Sequence, residues 1–140
     1  MKTKFMLLVL SLSTTYVSAA TVNKKFLNAL HQVESSGRLG AIVGDGGKAL
    51  GPLQIHRNYF VDAAQFDHSL GNDYNRVTDL AFAQRVVNAY LNRYAATAVA
   101  ENNFEVLARV HNGGPSGFKN RATVRYWTKV EMNLKLKKTS

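Results

Sequence analysis

Glu34 is the side chain best placed to do chemistry. It lies in the stretch ALHQVESSG at 29–37, one position after the apolar Val33. Phe26, Leu27, Leu30 and Val33 recur at helical spacing, which puts the carboxyl in the last turn of an amphipathic helix, where core meets solvent. A general acid that works near neutral pH needs such an apolar, water-poor border, because it favours the protonated carboxyl. An ordinary glutamate gains little there, since it faces the negative end of the helix. Two further stretches hold polar groups among glycines: GDGGKALGPLQI at 44–55 and ARVHNGGP at 108–115. The first supplies a second carboxylate, Asp45, eleven positions after Glu34, and an amide, Gln54. The second supplies His111, Asn112 and Gly113. Both stretches also suit plain structural roles. Asp supports a Gly-Asp-Gly-Gly turn, and Asn-Gly-Gly-Pro ends a helix.

Other chemistries fit the residues poorly. His31, His56, His68 and His111 match no ligand spacing, and no two lie four apart on one helix, so no metal and no cofactor is expected. Ser35 and Ser36 lack a Gly-x-Ser-x-Gly elbow. With no cysteine in 140 residues, thiol catalysis, cysteine metal sites and redox switching are excluded.

The elements that must position these groups read as mainly α, with about five helices and a small glycine-rich loop or β-hairpin lobe after the first. The first helix is expected over about Asn23 to Ser35, capped by Asn23 and stopped near Gly37. Six glycines between Gly37 and Gly51 mark the irregular lobe. Pro52 is expected to open the second helix, carrying Leu53, Ile55, Tyr59 and Phe60. The third is expected over Val77 to Tyr94, the fourth over Phe104 to His111 and the fifth over Ala122 to Met132, with Val124, Trp127 and Val130 on its apolar side. All five are amphipathic, so none reads as a membrane span.

The first residues, MKTKFMLLVLSLSTTYVSAA, place Lys2 and Lys4 before an apolar run and a Val17-Ser18-Ala19 junction. That order reads as a signal peptide at 1–19 followed by one domain at 20–140, secreted or periplasmic. The run is too short for a bilayer, which needs about 20 apolar residues. The net charge is +9, or +7 once Lys2 and Lys4 are removed with the leader. Dispersed basic charge serves solubility and also favours polyanions. Export argues against nucleic acid and leaves anionic cell wall.

Taken in order, the three stretches resemble the invertebrate-type, or destabilase, lysozymes. That family's pattern has a helix-ending Glu-Ser, a Gly-Pro-x-Gln-Ile turn and an Ala-Arg-x-His-Asn-Gly-Gly-Pro segment. ATVRYWTKV at 122–130 is similar to the family's final helix. The likeness covers about Leu27 to Val130. The goose-type lysozymes and soluble lytic transglycosylases share the order of these elements more loosely.

The resemblance implies a lysozyme-like fold and a monomeric muramidase. Such an enzyme cuts the β-1,4 bond between N-acetylmuramic acid and N-acetylglucosamine in peptidoglycan. Glu34 would be its acid and Asp45 its nucleophile or electrostatic stabiliser. The stretch from Asp45 to Gly51 is one residue short of the family pattern, and Asp62 stands as a fallback. Gln54 can offer its amide to hydroxyl or N-acetyl groups, and Tyr59 a flat face to a sugar ring. His111, Asn112 and Gly113 are implied to contact substrate, with glycine letting the backbone come close. A lytic transglycosylase using Glu34 alone and a non-catalytic wall-binding module are the rivals. Animal members are disulfide-rich, and this chain departs from them in having no cysteine.

Overall fold

The computed structural model describes residues 19–136. The leader read at 1–19 lies, apart from Ala19, outside the described residues. The described residues form five α-helices and three very short strands, joined in part by 3-10 turns. They are α1 (Lys24–Ser35), β1 (Val43–Gly44), β2 (Ala49–Leu50), β3 (Ile55–His56), α2 (Arg57–Phe66), α3 (Leu80–Glu101), α4 (Phe104–Gly113) and α5 (Val124–Leu136). Among the described residues, no helix is long and apolar enough to cross a membrane.

Local signals set the bounds of α1. The Asn23 side chain accepts a hydrogen bond from the Lys25 N–H and so satisfies a free donor at the helix start. At the other end Ser36 turns left-handed, at φ 55°. Its N–H donates to Gln32 O, and the Gly37 N–H reaches back to His31 O. This paired closure stops the helix at Ser35. Phe26, Leu27, Ala29 and Leu30 are buried, and the Phe26 ring stacks on Phe104 of α4 at 5.4 Å. Helix α1 packs on α5, while α3 packs on α2 and α4. Glu34 is carried to the edge of this core.

The lobe after α1 is a three-stranded antiparallel sheet in the order β1-β2-β3. Val43 pairs with Leu50, and Leu50 with Ile55. Here the expected second helix needs correction, because Pro52 does not open it. Gly51 takes φ 81° and its N–H donates to Ile42 O, while the Gln54 N–H closes back on Gly51 O. Gln54 is itself left-handed, at φ 50°, and a helix cannot run through it. Leu53 and Ile55 are buried, but in a turn and a strand, and α2 begins only at Arg57.

The other bounds shift for similar reasons. Residues Tyr74–Thr78 form a 3-10 turn, and Asp79 caps α3 by accepting from the Phe82 N–H at 2.7 Å. Helix α3 then runs past Tyr94 through a kink at Ala95, φ −147°, to Glu101. Arg121–Thr123 form another 3-10 turn, so α5 starts at Val124 and continues to Leu136. Val124, expected on the apolar side, is exposed; Val130 and Leu134 are the buried residues of α5.

Candidate active site

The end of α1, the small sheet, the start of α2 and the end of α4 enclose a cleft of about 540 Å³. That volume is on the scale of small-ligand sites, about 300–1,000 Å³. Its walls include Glu34, Asp45, Gln54, Tyr59, His111 and Asn112, so six of the seven residues singled out in the sequence meet here. Gly113 stands behind the wall. Its missing side chain makes room for Thr123, whose methyl would lie 2.5 Å from an added Cβ. Gly114, at φ 81°, lines the cleft instead.

Glu34 is held by two donors on one oxygen. Tyr126 OH donates to Oε1 at 2.5 Å, and His111 Nε2 lies 3.2 Å from the same atom. The side chain of Glu34 is 17% exposed and that of His111 5%. His111 is held in turn through Nδ1, which lies 2.9 Å from Tyr59 OH. The Tyr59 ring stacks on Tyr90 at 3.6 Å, so one of its faces is already covered.

These phenols keep their protons. Burial pushes Tyr126 well above the usual tyrosine range, and the neighbouring Glu34 carboxylate adds to the push. Tyr59 is raised well above that range too, by burial first, then by Tyr90 and Glu34. Burial, with Tyr94 and Asp62, pushes Tyr90 up to about 12. A protonated Tyr59 can donate to Nδ1 of a neutral His111. The imidazole proton then sits on Nε2 and points at Glu34, so no two lone pairs face each other.

A pH dependence of stability follows, with its sign. In the unfolded chain a tyrosine ionises at about pH 10, whereas the folded protein holds these protons to higher pH. The stabilisation is therefore complete below about pH 10 and lost as the pH climbs beyond it. A melting temperature followed against pH is expected to fall steeply in that alkaline window, and less steeply in Tyr126→Phe. Equal slopes in the two proteins would contradict the argument.

Asp45 lines the same cleft from the turn between β1 and β2. It is well exposed, and its Oδ2 lies 3.2 Å from His56 Nε2. Its backbone is left-handed, at φ 49°, inside the Asp45–Gly47 turn. That conformation costs a non-glycine residue energy and tends to persist where a side chain must be aimed. Asp62 also lines the cleft, but its Oδ2 already accepts from Tyr94 OH at 3.0 Å.

Gln54 is partly committed to the fold. Its amide nitrogen donates to Ile42 O and Gly51 O, at 3.1 and 2.9 Å. Only its oxygen remains for a ligand, and a Cβ added at Gly44 would lie 1.8 Å from that oxygen and push it aside. Sequence reasoning missed Tyr126 and the roles of His56 and Tyr90. Tyr126 does fall on one stripe with Val130 and Leu134 at four-residue spacing, and that periodicity was the available signal.

The sequence matches the Destabilase family over residues 23–133. Lysozyme 1 of Crassostrea virginica is 34% identical over 116 residues, covering 81% of this chain and 61% of its own length. This chain thus spans about three-fifths of that relative. The lysozyme of Magallana gigas is 35% identical over 115 residues, covering 79% of this chain and 80% of its own. Among solved structures, an inhibitor-bound lysozyme from Meretrix lusoria superposes with a TM-score of 0.65 and 28% identity, covering 81% of this chain and 91% of that one. The five helices and small antiparallel sheet are thus a lysozyme-like fold. Since the match runs from the cap of α1 nearly to the end of α5, this chain belongs to the Destabilase family.

Proposed function

We propose that the protein is a muramidase that hydrolyses the β-1,4 bond between N-acetylmuramic acid and N-acetylglucosamine in peptidoglycan, acting as a secreted or periplasmic monomer. One observation carries the reading: two carboxylates from separate elements, Glu34 on α1 and Asp45 in the turn between β1 and β2, border one cleft. Glycosidases use such a pair, one as acid and one as nucleophile, base or stabiliser.

The roles follow from the surroundings. Oε1 of Glu34 already accepts from Tyr126 and faces the His111 Nε2–H, so the acid proton belongs on Oε2. From there it passes to the bridging oxygen as the bond breaks, and the departing sugar leaves as an alcohol. Asp45, unencumbered apart from His56, stabilises or captures the positive charge at the anomeric carbon; water then adds to that carbon, releasing Asp45 where it has bonded, and gives its proton back to Glu34. Asn112 and the Gln54 oxygen are left to contact the sugars.

The test is the product released from purified peptidoglycan. Mass spectrometry is expected to find reducing ends; 1,6-anhydro ends would make the protein a lytic transglycosylase. Binding to wall with no released sugar would reduce it to a recognition module. Asp45→Asn is expected to lose about a hundredfold in turnover, the scale of one electrostatic contact to the transition state. If that variant stays active while Asp62→Asn does not, the second role passes to Asp62.

A further inference from the structure

Beside the main cleft lies a second chamber, of about 660 Å³, that shares His56, Asn58 and Asp62 with it as common walls. The remaining walls are Gly47, Lys48, Arg57, Val61 and Tyr74. Two of these carry fixed positive charge. Among the described residues neither Lys48 nor Arg57 makes an ion pair. Arg57 is held in place nonetheless, with its guanidinium 4.5 Å from the centre of the Tyr74 ring. Tyr74 is itself anchored by its hydroxyl, which donates to Ile55 O. Asp62 is the acidic residue of the lining, and its Oδ2 accepts from Tyr94 OH. His56 faces Asp45. Val61 is 45% exposed and adds an apolar patch to the lining.

We propose that this chamber receives the peptide stem carried by the muramyl sugar, a deepening that rests on the muramidase reading. A stem combines carboxylates with alanine methyls. Lys48 and Arg57 match the first, and Val61 and the Tyr74 ring match the second. Guanidinium and ammonium donors form their stronger hydrogen bonds with carboxylates. Because the two cavities share His56, Asn58 and Asp62, a substituent on a sugar in the main cleft has the chamber as its immediate neighbour. The protein is thus built to prefer strands whose stems are intact.

The experiment compares soluble glycan fragments that keep their stems with the same fragments stripped by an amidase, which leaves the lactyl carboxylate behind. Wild type is expected to show a kcat/KM about tenfold higher on stem-bearing fragments, the scale of one charge-assisted contact. In Lys48→Ala/Arg57→Ala the ratio should approach one, chiefly through KM, while Lys24→Ala/Lys25→Ala should keep the wild-type ratio. Absence of preference in wild type, its persistence in the first double variant, or an equal fall in the second would overturn the proposal. If wild type cleaves neither fragment, the muramidase reading fails by itself. Calorimetric binding of both fragments to Glu34→Gln then decides the stem site separately. Tighter binding of stem-bearing fragments, lost on removing Lys48 and Arg57, upholds it, and equal binding overturns it.

Discussion

Glu34→Gln is expected to lower the rate of wall lysis by about a thousandfold, within the usual contribution of a general acid, and to leave the fold intact. Glutamine has the same shape, and its amide oxygen can accept from Tyr126 and His111 as Oε1 does. What it lacks is a proton to give. The measurement pairs a turbidity assay on purified wall with a thermal melt. A variant that melts normally and retains more than about a tenth of wild-type activity would remove Glu34 from the reaction.

The second large effect concerns the core that carries this carboxyl. Leu30 lies one helical turn before Glu34 and is completely buried. Trimming it to alanine is expected to cost about 2–5 kcal/mol, from lost burial together with the cavity left behind. For a domain of this size that lowers the melting temperature by about 10–20 °C. No disulfide spreads the load, since the chain has no cysteine, and packing must supply the stability. Circular dichroism against temperature reads the result. A loss under about 5 °C would show that α1 is not central to the core.

What could be read from the sequence follows the range of the interactions. Helix α1, its Asn23 cap and its stop near Gly37 are set by neighbours within one or two turns, so spacing and cap chemistry were enough. Glu34 came with them. The start of α2 is set differently. Gly51-Pro52 has the local look of a helix opening, but Gln54 is turned left-handed where Ile42 O and Gly51 O take its amide, and Ile42 stands twelve residues away. Tyr126 was harder still, since its partner Glu34 lies 92 positions earlier. A tyrosine on an amphipathic helix shows its periodicity but not what its hydroxyl meets. The same holds for Gly113, which reads as an opening for a ligand and in the fold yields space to Thr123. Asp45 was legible as a carboxylate in a turn; its pairing with His56 depends on the register of β2 with β3.

The amide of Gln54 fastens two strand ends at once, and its oxygen fills the space above Gly44, the residue next to Asp45. This clasp adds to the ladder that pairs β1, β2 and β3, and it ties the turn that carries Asp45 to both strand ends. Crowding at Gly44 would travel straight to the neighbouring carboxylate, and the distance across the groove would change without any alteration to the acids themselves.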